Sequence, residues 1–337
     1  MSAAPRLSVL LVNWNTADLL ESCLESLAGD LRSGRCEVIV VDNGSSDDSA
    51  ARVAARHPEV QLIRNERNLG FTRATNQAWA AAKADFALML NSDTVVPEGT
   101  LARCLAFLEA HPEVGALGCR VRYPDGRHQG SCFRFPSLLD VTLNALYLAQ
   151  LFPHSPLWNR NRYGQQSFES VREVDCVMGG FLLLRRAAVP ATPLLDEGYW
   201  MYGEEADLLY RMARAGWRTV YYPDASVVHH HSASSRDPEV GALVYEAKQR
   251  AILRFLWKWR GAATAWCANA IMLLGLLPRA LGWALGDLAA ALRAGRAPRA
   301  ERLLRARAVG FHLAAAVSPA RFASSWDWTR GGGANQS

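Results

Sequence analysis

The stretch Phe86-Ala-Leu-Met-Leu-Asn-Ser-Asp-Thr94 decides how this sequence is read. An unbroken apolar run of this length suits a strand buried on both faces. It stops abruptly on Asn91, Ser92 and Asp93. The same shape recurs outward from it. Leu7–Val12 is apolar and ends on Asn13, Trp14 and Asn15, and Glu37–Val41 ends on Asp42 in DNGSS. Val60–Arg64 supplies another strand. Between the strands the spacing predicts helices from Thr16 or Asp18 to about Leu27, over 47–56, over 72–83 and over Thr100–Ala110. Strand–helix alternation with short loops predicts an α/β fold, a mostly parallel sheet flanked by helices. Such sheets bind ligands beyond the carboxyl ends of their strands. Asn13, Asn15, Asp42, Asn91 and Asp93 all fall there.

Residues 120–170 read as irregular. Val174–Arg186 (VDCVMGGFLLLRR) resumes strand character around Gly179 and Gly180. A helix is expected over Asp207–Ala215 and a strand over Trp217–Tyr222, before His229-His230-His231. The length of 337 residues allows about two domains. We expect an α/β catalytic region over 1–240, a basic, apolar helical region over 241–330 and a disordered tail over 331–337.

Half the residues are hydrophobic and a fifth are charged, which excludes disorder or collagen for the whole chain. The net charge of +5 is unevenly spread: residues 241–337 hold 14 basic and 4 acidic side chains and six of the 11 Trp. Basic residues with Trp point to an anionic membrane surface rather than to nucleic acid. Lys248, Arg250, Arg254, Lys258 and Arg260 precede an uncharged run over 261–278, and Arg293, Arg296, Arg299, Arg302, Arg305 and Arg307 follow it. That run is marginal for a span, so a helix lying in the interface is expected. Seven scattered Cys with no CxxC, and no leader in MSAAPRLSVLLVNWN, predict inert thiols in a reducing cytoplasm.

Several polar groupings carry chemistry. Asn91 and Asp93 are two apart, so in extended chain both face one way. A strand-end carboxylate can hold Mg²⁺ or Mn²⁺ together with diphosphate oxygens, or simply cap a turn. Asp42 can accept from ribose or a base, or form an Asx turn. In Asp196-Glu-Gly-Tyr-Trp-Met-Tyr-Gly-Glu204-Glu205-Ala-Asp207, acids sit among aromatics just before a helix. They could supply a general base, or merely favour the helix dipole. Alternation along the strand puts His229 and His231 on one side, and His229 is a candidate metal ligand. No GxGxxG, GxxxxGK[ST] or GxSxG is present, which disfavours dinucleotide, P-loop and hydrolase chemistry.

Taken in order, SVLLVNWN, VIVVDNGSSDDS, NERNLGFTRATNQA, LMLNSDT, VDCVMGGFLLLRR, DEGYWMYGEEADLLYRMARAGW and VVHHHSASS resemble the family 2 inverting glycosyltransferases with the GT-A fold, in particular their rhamnosyltransferase-type members. The resemblance covers residues 8 to about 235. It implies that Asn13, Asn15, Asp42, Asn91 and Ser92 line the nucleotide pocket. Asn68, Gly70 and Asn76 would shape the donor wall, and Asp93 and His229 would meet Mg²⁺ or Mn²⁺. Asp175, Gly179, Gly180 and Trp200 would border donor and acceptor sugars. Glu205 would be the catalytic base, with Glu204 and Asp207 as further candidates. The implied donor is a nucleoside-diphosphate sugar, thymidine-diphosphate rhamnose favoured. The implied acceptor is a lipid-linked glycan at the cytoplasmic face of a bacterial inner membrane. A sugar nucleotidyltransferase is the rival enzyme, but it needs a Gly-rich, Lys-bearing loop where this chain has NWNTADLL. A non-catalytic membrane scaffold is the rival binding protein, and it would need no acids at several strand ends.

Overall fold

The computed structural model describes residues 5–190, 193–230, 238–292 and 309–316. The chain opens with β1 (Leu7–Asn13), α1 (Ala17–Arg32), β2 (Cys36–Asp42), α2 (Ser49–Arg56), β3 (Gln61–Arg64), α3 (Phe71–Ala81) and β4 (Phe86–Asn91). These four strands are parallel, with Asn13 level with Asp42 and Val12 level with Asn91. Their polar ends therefore share one rim. Next come β5 (Thr94–Val95), α4 (Thr100–Ala110), β6 (Val114–Arg122), β7 (His128–Gln129), β8 (Cys132–Phe133), α5 (Leu138–Ala145) and α6 (Leu148–Leu151). The chain continues with β9 (Arg172–Glu173), β10 (Cys176–Val177), β11 (Phe181–Arg185), α7 (Glu204–Arg214), β12 (Arg218–His229), α8 (Pro238–Arg260) and α9 (Ala262–Leu292).

The main sheet runs β3-β2-β1-β4-β11-β6-β12-β5. It is mixed where a mostly parallel sheet was expected. β11 is antiparallel to both β4 and β6, while β6 and β12 are parallel. Direction is invisible in the apolar pattern, because a strand buried on both faces reads alike either way. β6 was also missed, since Gly115 and Gly118 break its pattern. At Gly118 a side-chain carbon would lie 2.7 Å from Val177, so the close approach of β10 requires a glycine. β12 runs on past Tyr222 through an irregularity to His229.

Side-chain alternation splits the core into two layers. Leu7, Val9 and Leu11 face α1 and α4, and Leu10, Ile39 and Met89 face α3 and α7. Each such fully buried side chain contributes about 1.5–3 kcal/mol. Phe255 of α8 belongs to the second layer. The uncharged run over 261–278 likewise has an inner face: Ala265 and Ala268 pack with Val141 of α5 and Leu253 of α8. Asn269 is buried and donates from Nδ2 to the His312 carbonyl at 3.0 Å. Among the described residues, no helix is long and apolar enough to cross a membrane. The arginines from 293 to 307, His231 and the tail over 331–337 lie outside the described residues.

Candidate active site

Three parts of the chain converge on the rim of the sheet. The first is the end of β1 and β2. Asn13 donates from Nδ2 to Asp42 Oδ1 at 3.1 Å and to Ser45 Oγ at 3.2 Å. Thr16 Oγ1 donates to Asn13 Oδ1 at 2.7 Å and lies 3.1 Å from Ser92 Oγ. Asn15 stands at φ 54°, and its Oδ1 accepts from the Ser46 N–H at 2.7 Å. So Asn13, Asp42 and Ser92 are brought together, while the Asn15 side chain ties two loops. Asn43, which the sequence reading passed over, is buried at the centre of the next loop. It donates to Asn68 Oδ1 and the Gly70 carbonyl and accepts from Asn65 and the Leu69 N–H. Asn68 is thereby committed to a turn.

The second part is the end of β4. β5 pairs antiparallel with β12, which sets Thr94 opposite His229. That pairing carries Asp93 to the imidazole: Asp93 Oδ1 lies 3.1 Å from His229 Nε2. Asn91 Nδ2 lies 3.3 Å from the same nitrogen. On the far side of the ring, His229 Nδ1 meets the buried Gln129 Oε1 at 3.1 Å. An amide oxygen there fixes the proton on Nδ1 and turns the Nε2 lone pair toward Asp93. A carboxylate oxygen and an imidazole nitrogen at that separation share either a proton or a cation. Asp93 and His229, with Asn91 beside them, are the residues that could hold a divalent cation. Among the described residues no group of three or more His, Cys, Asp or Glu has metal-binding geometry. Gln129 lies in the stretch read as irregular, and no sequence pattern marks it.

The third part is the acidic loop. Gly179 and Gly180 link it to the second. A carbon added at Gly180 would lie 3.3 Å from Asn91 Nδ2, and one at Gly179 would lie 4.0 Å from Glu205 Cβ. α7 begins at Glu204, three residues earlier than expected, so Glu204, Glu205 and Asp207 share its first turn. Their environments differ sharply. Glu204 is buried, and neither its Oε2 nor that of Glu205 has a hydrogen-bond partner among the described residues. Burial pushes the Glu205 carboxyl up, and burial together with the Glu205 charge pushes Glu204 well up.

Asp207, by contrast, is saturated. Its carboxylate accepts from Arg211 Nε at 3.1 Å, Lys258 Nζ at 2.8 Å and Trp259 Nε1 at 2.8 Å. It fastens α7 to α8, which corrects its candidacy as the base. Asp196 is held by Arg254 Nη2 at 2.9 Å and Lys258 Nζ at 2.7 Å. Against its burial, which acts the other way, the Lys258 and Gly198 donors keep its carboxyl below the usual range. Arg254 and Lys258 therefore face protein acids, not lipid as the basic pattern suggested.

The remaining candidates position the loop. Asn76 donates to the Leu195 carbonyl at 3.0 Å and accepts from the Leu195 N–H at 2.9 Å, so its amide serves the loop rather than a donor wall. The Trp200 carbonyl accepts from the Phe71 N–H at 3.1 Å, and its ring covers Gly70. Asp175 Oδ2 accepts from the Phe135 N–H at 3.1 Å. All six buried Cys are free thiols.

Residues 8–190 match the family described as Glycosyl transferase family 2. The chain belongs to that family. It is a glycosyltransferase, rhamnosyltransferase-like in sequence. It is 35% identical over 246 residues to an N-acetylglucosaminyl-diphospho-decaprenol L-rhamnosyltransferase of Mycobacterium tuberculosis, covering 69% of this chain and 78% of that protein. It is 25% identical over 237 residues to the rhamnosyltransferase WbbL of Escherichia coli, covering 67% and 85%. The mannosyltransferase PcManGT of Pyrobaculum calidifontis, solved with GDP-Man and Mn²⁺, superposes with a TM-score of 0.54 over 94% of this chain and 88% of its own, at 18% identity. That likeness establishes a GT-A-like α/β fold with a mixed sheet between helices.

Proposed function

We propose that this glycosyltransferase moves a deoxyhexose, rhamnose, from a nucleoside-diphosphate donor to a hydroxyl of a lipid-linked glycan, with inversion. The observation that carries this reading is the meeting of Asp93, His229 and Asn91 on the same rim as the Asn13–Asp42 pocket. The residues fit Mg²⁺ or Mn²⁺. One carboxylate and one neutral imidazole suit such a cation when diphosphate oxygens and water supply the rest. Bound there, it would neutralise the leaving diphosphate. Asn13 and Asp42 would hold the nucleoside, with Ser92 beside them.

Glu205 is the base in this reading. It stands across Gly179 from the metal end, and its Oε2 lacks a hydrogen-bond partner among the described residues. The acceptor O–H proton passes to Glu205, the oxygen bonds to the anomeric carbon, and the bond to the diphosphate breaks with its electron pair. The inverting course needs no covalent intermediate on the chain. The names of the relatives favour rhamnose and a diphosphate-linked acceptor, hence thymidine-diphosphate rhamnose as donor and cell-wall polysaccharide synthesis at the inner face of the membrane.

Leu146 just after α5, Leu151 of α6, and Leu274 and Leu277 of α9 are each at least half exposed, a surface suited to the interfacial region of an anionic bilayer. The deciding experiment pairs Glu205→Gln and Asp93→Ala with nucleotide calorimetry. Glu205→Gln should lose about 10²–10⁴-fold in turnover with nucleotide affinity intact. Asp93→Ala should abolish the metal dependence of nucleotide binding. Near wild-type turnover in Glu205→Gln would remove it as the base.

A further inference from the structure

The acidic loop begins and ends on carboxylates that share one ammonium. Lys258 Nζ of α8 lies 2.7 Å from Asp196 Oδ2, before the aromatics, and 2.8 Å from Asp207 Oδ1, in the first turn of α7. Asp207 is fully buried and the Lys258 side chain is 30% exposed, so the bridge is drawn mostly out of water. Each acid also has a cation of its own. Arg254 meets Asp196 at 2.9 Å and Arg211 meets Asp207 at 3.1 Å. Those two pairings each secure one end of the loop, and Lys258 joins the ends.

Glu205 stands inside the loop so closed. The Asp207 N–H donates to the Gly203 carbonyl at 3.0 Å, and Glu205 lies in the turn between them. Both ends of that turn rest on α8. Asp207 holds Lys258 and Trp259, and a side-chain carbon at Gly203 would lie 2.8 Å from Ala251 Cβ. Tyr202 and Gly203 enter the helix at φ 70° and 79°, and a tyrosine takes such a conformation only where its surroundings impose it. Without the ammonium, two carboxylates that share one nitrogen would face each other, and attraction would turn to repulsion. The loop would part from α7, and water would enter beside Glu205.

We propose that Lys258 is a positioning residue for transfer: by binding Asp196 and Asp207 together it fixes the Glu205 carboxylate against the acceptor hydroxyl. Lys258 itself touches no reacting atom, and its role rests on the reading of Glu205 as the base. The titratable groups around Glu205 are Glu204, Tyr202 and the Cys176 thiol of β10, and burial keeps the proton on the phenol and the thiol. Burial is also what raises the Glu205 carboxyl, so entry of water must lower it toward the ordinary glutamate range. Loss of the bridge therefore carries two signatures at once, a slower transfer and a base that ionises at lower pH.

The test follows the Glu205 carboxyl directly, by carbon-13 resonance of the glutamate-labelled full chain, with the signal assigned by its loss in Glu205→Gln. Turnover of thymidine-diphosphate rhamnose with a prenyl-diphosphate-linked N-acetylglucosamine is measured alongside. Lys258→Met should move the Glu205 titration down toward the ordinary glutamate range and lower kcat at least about tenfold, with donor KM held within about twofold. Lys258→Arg should restore both to within about threefold, because a guanidinium can again take both carboxylates. Lys258→Gln keeps N–H donors without the charge and should fall between, so it decides the matter where Lys258→Met does not fold. A fall in Tm with titration and kcat unchanged makes the lysine a structural tie only and overturns the proposal. Wild-type behaviour of Lys258→Gln in both readouts, or a Lys258→Arg protein that restores neither, overturns it too. If Glu205→Gln keeps its turnover while Lys258→Met still moves the titration, the base assignment fails and the positioning of that carboxyl stands.

Discussion

Asp207→Asn separates a structural acid from a chemical one. Asp207 is fully buried and neutralises Arg211 and Lys258 while accepting from Trp259. Removing one partner of a buried charge pair costs about 3–5 kcal/mol, because the other charge is left uncompensated. Two features place this site at the low end. An asparagine oxygen can still accept from Trp259, and Lys258 retains Asp196 at 2.7 Å. We therefore expect a loss of about 3 kcal/mol, which for a chain of this size lowers Tm by roughly 4 °C. Transfer per folded molecule, measured well below the transition, should fall less than about tenfold, because α7 keeps its place. Glu205→Gln should do the reverse, holding Tm while removing turnover. An Asp207→Asn protein with unchanged Tm and abolished transfer would refute the assignment and return Asp207 to the role of base.

Three further outcomes follow from the same geometry. Gln129→Leu removes the acceptor that sets the His229 tautomer, and should weaken Mn²⁺ affinity by about 10–100-fold in a nucleotide-supported spin-resonance titration; unchanged affinity would mean that Gln129 does not orient the ring. Gly70→Ala must adopt φ +89° and meets the Trp200 ring at 2.7 Å, so it should destabilise by more than about 1 kcal/mol and shift the acceptor-loop tryptophan fluorescence. The raised carboxyls of Glu204 and Glu205 give pH effects of opposite sign. Each binds its proton more tightly folded than unfolded, so their contribution to stability is full below the ordinary glutamate range and declines as pH rises through the folded value. Transfer should instead climb over that same interval as Glu205 ionises, and parallel rise of both in paired melting and rate profiles would contradict the buried pair.

The gathering of polar residues on one rim was legible because they lie at strand ends. FALML followed by NSD, and EVIVV followed by DNG, tell where each strand stops, and parallel register then puts Asn13 level with Asp42. His229 could be suspected but not placed. Its meeting with Asp93 depends on the two-residue pairing of β5 with β12, which no periodicity announces. The acidic loop stood out in the sequence, yet three carboxylates within four positions look alike there. What distinguishes them is who else is there: Trp259 and Lys258 arrive at Asp207 from about fifty residues away, and none of the described residues reaches Glu205 Oε2. The tail shows the same dependence on distant partners. A row of basic residues before an apolar run suits lipid, but Arg254 and Lys258 find Asp196 and Asp207 first. Gln129 and Asn43 were silent because an uncharged amide matters only through the ring or loop it touches.

The reversed strand β11 decides which part of the chain meets the rim after β4. Because it runs against β4, it presents its entrance, not its exit, to the rim, and Phe181 stands across from Leu90. The two glycines that lead into it thus stand between Asn91 at the end of β4 and Glu205 at the start of α7, the two ends of the proposed chemistry. A chemist wishing to retune the gap between those ends would find only two residues of backbone to work with.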